Sequence, residues 1–114
     1  MVLNDVSGEF IDVNDALNRI GGNMDLLKRL LKRFLEGTQI DELNQVLQEG
    51  NIEEAARIAH TIKGVSANLS LVKLRTVTAE LELILKEKLD HSAKLSELTD
   101  VYDETVKILS EAIS

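Results

Sequence analysis

The sequence predicts an all-α fold, an antiparallel up-down-up-down four-helix bundle with a short N-terminal helix across one end. Three observations carry that prediction. The 114 residues include no Pro and only six Gly, and the chain is rich in Leu, Glu, Lys, Ala and Ile. Apolar residues recur with a period near 3.6 along most of its length. Turn signals suited to β-hairpins are missing.

Taken in order, Met1 to Ile11 has no sustained period and reads as an N-terminal arm over residues 1–11, anchored by Phe10 and Ile11. A single domain over residues 12–114 follows. Asp12 opens a short helix (12–20) with Ala16, Leu17 and Ile20 on its apolar side, and Gly21-Gly22 stop it. Asn23 is the next N-cap. From there Met24, Leu27, Leu30, Leu31, Phe34 and Leu35 keep a helical period that resumes at Ile40, Leu43, Val46 and Leu47. The spacing predicts one long helix over 24–49, about 39 Å at 1.5 Å per residue, with Gly37-Thr38 the place where it can kink or break. Gly50-Asn51 makes a tight reversal into a helix over 52–68. Ser70 is the expected cap of a helix over 71–89, with Leu71, Leu74, Val77, Thr78, Leu81, Ile84 and Leu85 inward. After Asp90-His91-Ser92, a last helix over 93–113 buries Leu95, Leu98, Tyr102, Val106, Leu109, Ala112 and Ile113.

Composition narrows the function. Three aromatics offer no stacking platform for nucleic acid, and a net charge of −7 repels phosphate backbones and anionic membranes. Without Cys there is neither a disulfide framework nor a thiolate metal site, and no run of about 20 apolar residues marks a membrane span. No metal site is expected, and a cytoplasmic location is the default.

The helix over 52–68 carries the feature that stands out. Ala55, Ile58, Ile62, Val65 and Leu69 form its buried stripe, with Ala59 and Ser66 on the flank, and His60 projects opposite. Within about 40° of His60 on the helical projection lie Ala56, Gly64 and Ala67, so the imidazole stands on a bare patch. An ordinary solvated face carries Lys, Glu, Gln and Arg there, and a mid-helix Gly costs about 0.5 to 1 kcal/mol relative to Ala. Arg57 and Lys63 lie one turn away on either side, within reach of an anion on the ring. Arg57 has an alternative partner in Glu53, four residues earlier, whereas Lys63 has no acid three or four residues away. His91, beside Asp90 and Ser92, reads as ordinary loop decoration. The pattern points to a nucleophilic histidine that exchanges a phosphoryl group with another protein; a bare patch that only docks a helix is the reading without chemistry.

Ala59-His60-Thr61-Ile62-Lys63-Gly64, followed by Ser66, Ala67 and Asn68-Leu69, resembles the signature of histidine-containing phosphotransfer domains. Ile20-Gly21-Gly22-Asn23 with Leu27, Leu31 and Phe34 is similar to that family's entry into its second helix, and Gly50-Asn51 to its Gly-Asp turn before the histidine helix. Asn51 in place of Asp, and Ser70 where many members have Gly, are departures at the turns. The resemblance implies that His60 accepts a phosphoryl group from a receiver-domain aspartyl phosphate and passes it to another receiver aspartate. It further implies that the nitrogen farther from the backbone reacts, that Lys63 helps neutralise the phosphoryl oxygens and that Gly64 gives a partner clearance; the helical projection adds Arg57 as a second cation and Ala67 and Ala56 as further clearance. The implied partners are response-regulator receiver domains, one of them in a hybrid sensor histidine kinase whose cytoplasmic part this segment could be. No cofactor is expected on this chain, Mg²⁺ being brought by the receiver, and no ATP site is expected because there is no Gly-rich phosphate loop. The phosphoacceptor helix pair of a sensor kinase is disfavoured by Thr61 after His60 and by the absence of Pro, and two alternatives stay open: the phosphoacceptor domain of a chemotaxis-type histidine kinase, fed by an ATP-binding domain, and a non-catalytic helical adaptor.

Overall fold

The structure, a computed structural model, describes residues 3–113; Met1 and Val2 of the expected arm, and Ser114, lie outside them. The described residues form helices and connections with no strand. The arm is not wholly irregular. Leu3–Val6 make one turn of 3₁₀ helix, and Leu3 and Ile11 are fully buried.

Six α-helices follow: α1 Val13–Arg19, α2 Met24–Leu35, α3 Gln39–Gln48, α4 Ile52–Asn68, α5 Val72–Lys86 and α6 Ser92–Ile113. The starts of α1, α2 and α4 are capped as their sequences demand. Asp12 Oδ1 accepts from the Asp15 amide at 3.1 Å, Asn23 Oδ1 from Leu26 at 3.0 Å and Asn51 Oδ1 from Glu54 at 3.2 Å. The single helix expected over 24–49 is two. After Leu35 the chain tightens, the Gly37 amide bonding the Phe34 carbonyl at 3.1 Å, and Thr38 leaves the helical region with φ −118° and ψ 14°. A Gly followed by a β-branched residue weakens the helix there. The break lets the two halves face different neighbours: α2 packs on α6 and α3 on α4.

With α4 on α5 and α5 on α6, these contacts close a ring, so α2 and α3 together form one leg of a four-legged bundle. The core is aliphatic, built on Leu27, Leu31, Leu43, Leu74, Leu81, Leu98 and Leu109. In α6 the buried stripe also takes in Val101 and Thr105, whose hydroxyl returns a 2.7 Å bond to the Val101 carbonyl, while Leu95, Tyr102, Val106 and Ile113 are half-buried.

Ser70 does something other than cap α5. It sits at φ 55° as the left-handed residue that ends α4, and the next amide, Leu71, donates back to Ser66 O at 2.8 Å. Leu71 holds the N-cap position of α5 without a side-chain bond. The Ser70 hydroxyl donates instead to Asp15 of α1, and the Asp12 amide donates to Ser70 O at 2.9 Å, which straps α1 across this end of the bundle. The other end of α4 is closed similarly. Gly50, at φ 76°, ends α3 with Asn51 N donating to Val46 O at 2.9 Å, a conformation that favours Gly.

Candidate functional site

Between these two closed ends, α4 presents His60 near its middle, with the side chain 66% exposed. The buried stripe predicted for α4 holds at Ala55, Ile58, Ile62 and Leu69, with Val65 half-buried and the flanking Ala59 and Ser66 fully buried. Gly64 is open: a Cβ added there would meet nothing within 4 Å. Ala67 is half-buried. Ala56 does not belong to the open patch. It is buried, because Ala56, Ala59, Lys63 and Ser66 share the flank of α4 that turns towards α5.

The residue that organises the site is Glu82 on α5, which sequence reasoning passed over. Its side chain is only 5% exposed, yet three cationic or protic groups converge on it. Lys63 Nζ lies 2.6 Å from Oε1, Lys86 Nζ 3.0 Å from Oε2, and His60 Nδ1 2.9 Å from Oε2. Burial pushes the carboxyl upward, but the bonds from Lys63, Lys86 and His60 outweigh it and hold the group down at about 2. Glu82 is therefore ionised at neutral pH, and an ionised carboxylate only accepts hydrogen bonds. Nδ1 of His60 must carry the proton, which in the neutral ring leaves the lone pair on Nε2. No partner occupies Nε2 among the described residues. A signal for Glu82 was present: it stands four residues after Thr78 and three before Leu85, both inward positions of α5, so it is a charge on a buried stripe.

Lys63, which has no acid three or four residues away on α4, is thus paired across the helices. Arg57 is paired on its own helix. Its guanidinium is engaged by Glu54, with Nε at 2.9 Å, and not by Glu53, and no hydrogen bond or ion pair joins it to His60 among the described residues. Both acids lie within a helical turn of Arg57, and the one three residues before it is the one engaged. His91 is half-buried in the loop after α5, beyond the end of the helix that carries Glu82. Among the described residues no group of His, Asp and Glu has the arrangement of a metal site, and no helix is long and apolar enough to cross a membrane.

Comparison with known proteins agrees with the helical frame and the signature. Neither the curated proteins nor the solved structures give a match. The model of one family, the Hpt domain, matches residues 24–112, which takes in α2 through almost all of α6. That match covers most of the chain, and the chain therefore belongs to the Hpt family, the helical domains of histidine phosphotransfer in phosphorelays, which relay to response regulators.

Proposed function

We propose that His60 is the phosphoryl carrier of this domain, loaded from the aspartyl phosphate of one receiver and unloaded onto the aspartate of another. The observation that carries the reading is an exposed imidazole whose Nδ1 is held by a buried, ionised Glu82, beside an open Gly64. In the forward step the Nε2 lone pair attacks phosphorus, an N–P bond forms, and the P–O bond to the receiver aspartate breaks, its electrons leaving with the carboxylate. No proton has to move. The ring keeps its Nδ1 proton and gains positive charge as the bond forms, and the Glu82 carboxylate stands 2.9 Å from that nitrogen to stabilise it. Return transfer is the reverse of these changes.

Lys63, whose Nζ lies 2.6 Å from Glu82 Oε1 and which follows His60 by one turn of α4, would divide its protons between Glu82 and the phosphoryl oxygens. Gly64 and Ala67 leave room for the receiver's loops. Mg²⁺ is a component of the receiver's acidic pocket in this scheme, and the chain acts as a carrier that neither binds ATP nor phosphorylates itself. The receivers would include one from a hybrid sensor kinase.

The test is transfer of label from a ³²P-phosphorylated receiver. Label on this chain should be alkali-stable and acid-labile, absent from His60→Gln and retained by His91→Gln. Label that persists in His60→Gln would move the site elsewhere, and label acquired only from a kinase with ATP would favour a kinase phosphoacceptor. No label from any source would leave the adaptor.

A further inference from the structure

Glu82 offers two oxygens to three donors, and it shares them unevenly. Oε1 faces Lys63 at 2.6 Å. Oε2 is divided, with His60 Nδ1 2.9 Å from it and Lys86 Nζ 3.0 Å. A carboxylate oxygen has room for both donors, but each draws on the same negative charge. Lys86 stands four residues after Glu82 on α5, and an acid followed by a base at that spacing is common on helix surfaces. What sets this pair apart is its acid, a buried carboxylate that also holds the exposed imidazole.

The consequence falls on the charge of the ring. With a phosphoryl group on Nε2 and a proton on Nδ1 the imidazole is cationic, and Oε2 stabilises it. An ammonium on the same oxygen withdraws part of that stabilisation and repels the ring directly. Because Nδ1 and Nζ both lie within 3.0 Å of one oxygen, they are no more than about 6 Å apart, where two like charges in wet surroundings are worth about three- to tenfold in an equilibrium constant. The other charged groups around the ring do not act through this oxygen. Lys63 bonds Oε1 and Arg57 is engaged by Glu54. From α3, the other helix packed along α4, no residue forms an ion pair or hydrogen bond with His60 among the described residues.

We propose that Lys86 is a positioning residue that sets the phosphoryl-transfer potential of His60, by sharing Oε2 of Glu82 with Nδ1 and so limiting how far the loaded ring is stabilised. The inference rests on the reading of His60 as the carrier. In unloading, the N–P bond breaks and its electron pair returns to Nε2, a P–O bond forms to the receiver's carboxylate, and Nδ1 keeps its proton. The ring loses its positive charge in that step. Lys86 therefore favours unloading, and without it the exchange lies further towards the loaded histidine.

The experiment measures, with ³²P label, the exchange equilibrium between this chain and one receiver that phosphorylates the wild type. Lys86→Met, a change at an exposed side chain that should leave the fold intact, should move the equilibrium towards phosphohistidine by about three- to tenfold. Lys86→Arg keeps a cation within reach of Oε2 and should stay within about twofold of wild type. Lys107→Met, which removes an equal charge from an exposed position of α6, should do the same. In the unphosphorylated chain, the Nδ1 nitrogen resonance of His60 should move downfield in Lys86→Met as its hydrogen bond to Glu82 strengthens, a change that a purely structural ion pair would not produce. An equilibrium that Lys86→Met leaves unaltered would reduce Lys86 to a surface pair and overturn the proposal. A shift towards the aspartyl phosphate would overturn it too, in favour of a lysine that binds the phosphoryl group. A wild-type chain that takes label from no receiver would instead refute the carrier reading, while the Nδ1 resonance, which needs no phosphate, would still decide whether Lys86 acts on the ring.

Discussion

Replacing Glu82 by Gln keeps the shape of the side chain and one acceptor for His60 while deleting the charge that three donors share. The magnitude follows from the carboxyl being held at about 2 instead of an ordinary 4.5, a displacement equivalent to about 3 kcal/mol of folding stability at neutral pH. That figure is an upper bound. Lys86 is 61% and His60 66% exposed, so water screens two of the three contacts, and about 1 to 2 kcal/mol is the expected loss. For a chain of this length, melting should fall by about 4 to 9 °C at pH 7. The sign of the pH dependence is set by the depression: the contribution is complete above about 4.5 and disappears as the pH falls through about 2. Thermal unfolding of wild type and Glu82→Gln, followed by circular dichroism from pH 2 to 8, should therefore show a gap that closes in acid. A variant as stable as wild type at pH 7, or a gap that persists at pH 2, would refute the account of Glu82 as a buried counter-ion.

Gly64→Gln should be as stable as wild type or more stable by about 0.4 to 1 kcal/mol, because the site is open and helical, yet should accept phosphate more slowly from receivers than from small donors. A marked drop in melting temperature would mean that the position is packed. Ser70→Ala should cost about 1 to 2 kcal/mol, since it keeps the left-handed backbone and loses the bond to Asp15, and Ser70→Gly should cost less because it relieves the backbone; urea melts that rank the two the other way would count against this. Arg57→Ala should leave the transfer rate from a receiver within about twofold of wild type, its guanidinium being engaged by Glu54. A tenfold loss would return Arg57 to the phosphoryl site.

The fold was legible wherever local chemistry decides it. The α4 limits Ile52 and Asn68 follow from Asn51 as a cap and from the apolar stripe, and the connections at Gly21-Gly22 and Gly50-Asn51 follow from residues that tolerate left-handed backbone. The errors share a cause: contacts made across the bundle are invisible in a single helix. Whether Gly37-Thr38 bends or breaks the first leg depends on α2 and α3 finding different neighbours. Ser70 has the chemistry of a helix cap and was placed on the wrong helix, because its partner Asp15 lies 55 residues away. Ala56 projects near His60 on α4 alone and is covered only once α5 is in place. The same holds for the site. His60, Lys63 and Gly64 were readable from one helix, but Glu82, 22 residues further on, becomes visible only when α5 lies alongside.

The two closed ends of α4 have a kinetic consequence. They fix both ends of the helix that carries His60, whose imidazole is exposed with Nδ1 held by Glu82. If that nitrogen is the carrier, donor and acceptor compete for the same face, and the domain works as a ping-pong shuttle that must release one receiver before it meets the next. Release then bounds throughput. With association rate constants of about 10⁵ to 10⁷ M⁻¹s⁻¹, one exchange per second requires each complex to have a Kd no tighter than about 0.1 to 10 μM. A carrier of that kind would be served by a small contact surface, and the open Gly64 beside an exposed imidazole fits that demand.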